Sequence, residues 1–196
     1  MPKLDLASKY PKAIKLPDGT AVEIRLMTGD DATAILNFAQ ALPPEDLLFL
    51  RVDLTQPEVI DDWVANLESG QSTSVVAYDD KELIGYATVH RNNAPWTRRV
   101  GELRVNVSQA YRARSLGKSL ISEIFDVARG LGMKKLMANM TADQKGAQAA
   151  FRRLGFIPEA LLSDYVEDRN GTSRDLVIMS NDVDGHSDQM AEVAKI

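Results

Sequence analysis

With 196 residues, no cysteine and two histidines, the chain has room for one domain and no means of building a disulfide, a thiolate metal site or a cysteine nucleophile. Its 44% hydrophobic and 26% charged residues suit a globular protein that buries a core, and His90 and His186 alone make a metal site unexpected. The net charge of −5 argues against nucleic acid as the main partner, since neutralising phosphates takes a basic face.

Residues 1–17 carry Pro2, Pro11 and Pro17 among lysines and read as an extended arm over the surface. They lack the apolar stretch of a signal peptide, and no later run reaches the ~20 apolar residues that span a bilayer. The expectation is a cytoplasmic protein without a membrane partner. Asp18-Gly19 marks a turn, after which Thr20–Leu26 alternates as a half-buried strand. Thr28 or Asp30 caps a helix with its stripe at Ala34, Ile35, Phe38, Ala39 and Leu42, stopped by Pro43-Pro44. A second helix surrounds Val59, Ile60, Trp63, Val64 and Leu67.

Ser74–Tyr78 and Leu83–His90 form a hairpin, and Glu102–Val107 is a further strand. From Leu116 to Leu131 apolar residues recur at three and four, an amphipathic helix ending near Gly130 and Gly132. Lys135–Met140 is a strand. Thr141-x-x-Gln144 has capping-box spacing before a helix through Ala147, Ala150, Phe151 and Leu154. Pro158–Val166 and Arg174–Ser180 flank Asn170-Gly171, a tight-hairpin signal. The domain is expected over 18–182, with a polar tail over 183–196. The order predicts an α+β (mixed α/β) fold: a mixed sheet of about seven strands with about four helices.

The segment Arg112-Ala113-Arg114-Ser115-Leu116-Gly117-Lys118-Ser119 stands where a strand passes into a helix. Small residues there let a phosphate reach unpaired backbone amides at the positive end of the helix dipole, and the basic side chains add charge. A pyrophosphate is the natural ligand; a basic helix start with a glycine for packing is the plain alternative. Gly117-Lys118-Ser119 imitates the end of a P-loop, but that motif needs glycine where Arg112 stands.

This segment resembles the acyl-CoA signature [Q/R]-x-x-G-x-[G/A] of the GNAT superfamily of N-acyltransferases, with Arg112, Ser115 and Gly117 at the three positions. Serine there fits if its φ is negative. Gln144-x-x-Ala147 stands where the family has Asn-x-x-Ala, and Phe151 to Phe156 matches its aromatic-x-x-x-Gly-Phe ending. Leu16-x-Asp18-Gly19-Thr20, Val22-x-Ile24-Arg25 and the Glu102-led strand look like the acyltransferase domains of bacterial protein-lysine acetyltransferases.

The resemblance implies a GNAT-like fold that binds acetyl-CoA and transfers acetyl to an amine, with no metal. It implies that the Glu102 strand splays from its neighbour and that the backbone of Val105 and Val107 meets pantetheine. Amides from Arg112 to Gly117, with Lys118 and Ser119 behind them, would hold the diphosphate, and Gln144 and Phe151 would lie along the cofactor. Glu102 matches the catalytic glutamate of lysine-acetylating relatives; a solvated strand start paired with Arg99 or Arg104 is the alternative. Phe151 replaces a tyrosine that protonates the leaving thiolate in many relatives, and leaves water or another hydroxyl such as Tyr165 for that step. His90 is a candidate for the acceptor cleft, with a surface or hydrogen-bonded histidine as the alternative, and Trp63, Trp96 and Phe38 are candidates for the acceptor side or plain core. A non-catalytic acyl-CoA-binding module is the second reading. The acceptor stays open among protein lysine, peptide N-terminus, polyamine and aminoglycoside, and a homodimer is compatible with the sequence.

Overall fold

Each stretch of alternating apolar residues settles into one sheet, and each three-and-four stripe lies across one of its faces. The computed structural model describes residues 6–47, 50, 52–92 and 94–183. In chain order these form α1 (Leu6–Lys9), β1 (Lys12–Lys15), β2 (Ala21–Leu26), α2 (Ala32–Gln40), α3 (Pro44–Leu47) and α4 (Pro57–Glu68). Then follow β3 (Ser72–Asp79), β4 (Glu82–Arg91), β5 (Val100–Val107), α5 (Leu116–Gly130), β6 (Lys135–Thr141), α6 (Lys145–Arg153), β7 (Ile157–Glu167) and β8 (Ser173–Asp182). The sheet order is β1-β2-β3-β4-β5-β6-β8-β7. Every neighbouring pair is antiparallel except β5 and β6, which run parallel through the α5 crossover.

The sheet therefore has eight strands rather than about seven. The added one is β1, which pairs with β2 from Lys12↔Ile24 to Lys15↔Ala21. Residues 6–16 are thus stitched into the fold instead of lying as an extended arm, and Tyr10 and Leu16 enter the core. At the other end Val183 is buried and its N–H donates to Lys134 O at 2.9 Å, so it belongs with the domain rather than the tail. Residues 184–196 lie outside the described residues.

Two cores lie on opposite faces of the sheet. On one, α5 buries Leu116, Leu120, Ile121, Ile124, Val127 and Ala128 against Val75, Ala87, Val89, Leu103 and Leu136. Each of the leucines, isoleucines and valines among them contributes about 1.5–3 kcal/mol by leaving water. On the other face, Ile35, Phe38, Ile60 and Trp63 of α2 and α4 pack on Val76 and Tyr86.

The Phe151 to Phe156 motif has a local physical cause. α6 ends with Gly155 at φ +85, Phe156 N–H donating to Phe151 O at 3.1 Å and Gly155 N–H to Arg152 O at 3.0 Å. This is a Schellman closure, in which glycine takes the left-handed position and the flanking apolar pair meets. The Phe151 and Phe156 rings do meet, edge to face at 5.0 Å.

Two local expectations are corrected. α6 begins at Lys145, one residue after Gln144; the Gln144 side chain reaches back to Thr141 N–H at 3.0 Å, but Gln144 itself is the N-cap. Asn170-Gly171 does not make a two-residue turn. β7 and β8 are joined by 168–172, organised by the Asp168 carboxylate, which accepts Asn170 N–H at 2.9 Å and Thr172 N–H at 3.1 Å. An acceptor just before the turn satisfies these amides from a side chain and makes a wider loop favourable.

Candidate active site

The site follows from a failure of pairing. β4 and β5 are zipped from Gly85↔Val107 to Arg91↔Gly101. On its other edge β5 meets β6 only at Val100↔Lys135, Gly101↔Leu136 and Glu102↔Met137. Beyond Glu102 the two strands diverge, and a cleft of about 630 Å³ opens between them. Gly101 sits where they are closest. A Cβ there would lie 2.6 Å from Val89 Cγ2 and 3.0 Å from Leu136 Cδ2, so only glycine lets the strands approach before they part.

The cleft passes through the sheet. One side is walled by Ala147 and Phe151 of α6 with Gln144, the other by Val59 and Trp63 of α4. β4 and β5 supply its floor, in two rows of alternate residues: Tyr86, Thr88 and His90, and Glu102, Arg104 and Asn106. Register sets Tyr86 opposite Asn106, Thr88 opposite Arg104 and His90 opposite Glu102. Directly opposed residues share a face, so this is one polar patch.

The patch is internally bonded. Asn106 Nδ2 donates to Tyr86 Oη at 2.9 Å, and Thr88 Oγ1 meets Ser74 Oγ at 2.8 Å. Ser74 Oγ also accepts Trp63 Nε1–H at 3.2 Å, and Ser72 Oγ lies 2.7 Å from His90 Nδ1. Glu102 is paired with Arg104 at 3.3 Å. Burial pushes the Tyr86 hydroxyl up to about 12, with the Asn106 hydrogen bond opposing it, so it stays protonated at neutral pH.

At the far end of the unpaired half of β5, the turn before α5 closes on Val107. Arg112 Nε–H donates to Val107 O at 3.3 Å. Ala113 and Ser115 both have positive φ, 60 and 68. The expectation of a negative φ at Ser115 is therefore corrected: the serine accepts the left-handed conformation glycine would take without cost, so that α5 can start directly after it. No side chain caps α5, and its first helical bond in the chain is Ser119 N–H to Ser115 O at 3.1 Å. The amides of Leu116, Gly117 and Lys118 are left without an intrahelical partner. Leu116 is wholly buried, so it offers backbone alone.

Carboxylates hold both arginines of the turn: Arg112 pairs with Asp46, and Arg114 lies 3.3 Å from Asp18 while stacking over Tyr111. Lys118 has no ion-pair partner among the described residues.

Of the residues singled out from sequence, Glu102, Val105, Gln144 and Phe151 line the cleft itself. Val107 and the 112–119 turn stand at its end rather than in its wall. Trp63 and His90 face the cleft. Phe38 belongs to the core, edge to face with Tyr86 at 5.8 Å, and Trp96 is 90% exposed away from the site. Tyr86, Thr88 and Asn106 were not anticipated as site residues. Their signal was present: polar residues at every second position of adjacent strands, where a buried sheet face should be apolar.

The sequence profile described as the acetyltransferase (GNAT) family matches residues 36–156. The chain belongs to this family. As a GNAT member it is an N-acetyltransferase.

Solved structures agree on the GNAT fold. A ribosomal-protein-alanine N-acetyltransferase from Brucella melitensis is 25% identical with a TM-score of 0.73, over 81% of this chain and 98% of that one. YncA of Salmonella typhimurium, a putative acetyltransferase crystallised with its cofactor acetyl-CoA, is 21% identical with a TM-score of 0.74, over 85% and 96%. The GNAT domain of S. lividans PAT is 18% identical with a TM-score of 0.73, over 87% and 96%. No curated protein sequence matches significantly. No helix among the described residues is long and apolar enough to cross a membrane.

Proposed function

We propose that this GNAT protein transfers acetyl from acetyl-CoA to a primary amine by direct attack. The observation that carries the reading is the β5–β6 ladder ending at Glu102↔Met137, which leaves the rest of β5 with an unpaired backbone edge along the cleft. The residues fit the cosubstrate: a strand edge to bond pantetheine, and uncapped α5 amides at its end for a diphosphate. Backbone groups of Val105 and Val107 bond the pantetheine arm. The amides of 113–118 take the diphosphate with the Lys118 and Ser119 side chains behind them, and Gln144 and Phe151 flank the thioester side.

The acceptor amine enters over the polar patch on the α2–α4 side. A lysine-type amine has a pKa near ~10.4, so a proton must leave before attack, and Glu102 at the cleft floor is the base. A β5 backbone N–H steadies the oxyanion. The thiolate, with an ordinary pKa near ~8.5, leaves without the tyrosine that Phe151 replaces.

The test is calorimetry with coenzyme A and acetyl-CoA, followed by a mass-spectrometric screen of amine acceptors. The reading expects binding below millimolar and acetylation of at least one amine. It also expects Glu102→Gln to lower kcat about 10²- to 10⁴-fold with acetyl-CoA affinity kept. No binding at millimolar coenzyme A overturns it, and unchanged turnover in Glu102→Gln removes the base.

A further inference from the structure

Three adjacent strands present Ser72, His90 and Glu102 in one row. The register pairs Ser72 with His90 across β3 and β4, and His90 with Glu102 across β4 and β5. Opposed residues on neighbouring strands have Cβ atoms about 4.5–5.5 Å apart on the same face, within reach of an imidazole and a carboxylate. Ser72 is 3% exposed, and its Oγ lies 2.7 Å from His90 Nδ1. His90 itself is half-buried and lines the cleft with Glu102. A buried serine in β3 thus grips one ring nitrogen of a histidine opposite the base.

We propose that His90 is a proton-relay residue of this site: held by Ser72, it takes from Glu102 the proton the acceptor amine gives up, and passes it to solvent. The inference rests on the reading of Glu102 as base. With Nδ1–H donating to Ser72 Oγ, the neutral ring exchanges protons with the cleft through Nε2. The ammonium's first proton goes to the Glu102 carboxylate, then to His90, then to water, which regenerates the carboxylate. The neutral amine attacks the thioester carbonyl, a C–N bond forms, the C–S bond breaks, and the second N–H proton ends on the departing sulfur as thiol.

The row explains why the base need not have a high affinity for protons. A carboxyl with an ordinary pKa near ~4.3 accepts a proton from an amine only fleetingly, and a neighbour near ~6.5 drains it. Other charged groups lining the same cleft are Arg104 on β5, Asp46 on α3, Glu167 on β7, Asp168 after it and Arg174 on β8. Arg104 is paired with Glu102, Arg112 with Asp46, and Arg174 with Asp168 at 3.0 Å; Glu102 is the carboxylate in cross-strand register with His90.

The chain has two histidines, which makes the test direct. In the full chain carrying His186→Asn, long-range proton–nitrogen spectra report one imidazole. The relay expects neutral His90 in the Nδ1–H tautomer and a shift toward Nε2–H in Ser72→Ala. It expects the His90 midpoint to fall by about half a unit or more in Glu102→Gln, because an opposite charge nearby favours the protonated ring. A smaller fall, or an Nε2–H tautomer in the parent chain, overturns the relay. Acetyl-CoA affinity is measured on the same samples. Binding with uncoupled titrations overturns the relay alone, whereas coupling without binding overturns the acetyl-transfer reading and leaves the pair standing.

A kinetic arm uses the amine found in the screen. His90→Asn is expected to lose at least about tenfold in kcat at pH 7 and to recover toward pH ~10, where the amine sheds its own proton. A loss that is the same at every pH marks a packing role and overturns the relay.

Discussion

Arg169 Nη2, on the loop between β7 and β8, lies 2.8 Å from Asp53 Oδ1, on the loop before α4. The contact joins two loops whose neighbouring residues line the cleft, Val52 and Leu54 on one and Glu167 and Asp168 on the other. Asp53 is set for it: Thr55 Oγ1–H and Thr55 N–H donate to the same Oδ1 at 2.6 and 3.1 Å. The Thr55 hydroxyl first, and Arg169 next, hold the Asp53 carboxyl well below the usual carboxylate range.

Both partners are more than a third exposed, so the pair adds about 0–1 kcal/mol and little global stability. Its effect should appear in acceptor binding. Arg169→Ala is expected to raise KM for the amine about two- to fivefold, with kcat and acetyl-CoA affinity unchanged. Steady-state kinetics at low and high salt check this: in the parent chain, salt should reproduce part of the rise.

Ser115 holds a left-handed φ of 68 at the start of α5. A Cβ in that region costs about 1–2 kcal/mol, which glycine avoids. Ser115→Gly is expected to raise Tm by about 2–4 °C and to leave coenzyme A affinity equal or better. Ser115→Val should lower both. Differential scanning calorimetry and isothermal titration read the two effects.

Glu123 on α5 is 7% exposed and gathers the N-terminal segment: Tyr10 Oη–H donates to it at 3.1 Å, Lys12 forms a short contact and Lys9 lies at 3.4 Å. Burial pushes its carboxyl up, but the Lys12 hydrogen bond, the Lys9 charge and the Tyr10 hydrogen bond together outweigh this and hold it below its ordinary value. A carboxyl depressed in the folded state adds stability above its unfolded pKa and loses it as pH falls through the folded one. Glu123→Gln should therefore cost about 1–3 kcal/mol at pH 7, and the difference in Tm should close below pH ~4. A pH series of thermal melts decides it.

Gly101 is the fourth test. Its missing side chain admits Val89 and Leu136, so Gly101→Ala should destabilise by about 1–3 kcal/mol through overpacking. Chemical denaturation measures this directly.

The elements with strong period were legible: the α5 stripe is long enough to average out exceptions, and β3 and β4 carry the short apolar runs Val75–Tyr78 and Leu83–Ala87. β1 was not. Lys12-Ala13-Ile14-Lys15 has two apolar residues between lysines, and its pairing with β2 decides its state rather than its own pattern. Asn170-Gly171 misled because Asp168 competes for the turn's amides from just outside the motif. In the site, the 112–119 turn stands out in the sequence because its small and basic residues lie together where a strand passes into a helix, a purely local feature. The patch of Tyr86, Thr88 and Asn106 shows in the sequence only as polar residues at alternate positions; that these positions adjoin is set by which strands pair and in what register.

The short β5–β6 ladder has a mechanical consequence. Only three registered pairs in the sheet link β6, β8 and β7 to the strands before them. Residues 135–182 should thus loosen as a unit ahead of the rest, seen as earlier amide exchange across β6 and β8. A molecule lying in the gap and bonded to both banks would act as a splint, so that two softening steps merge into one.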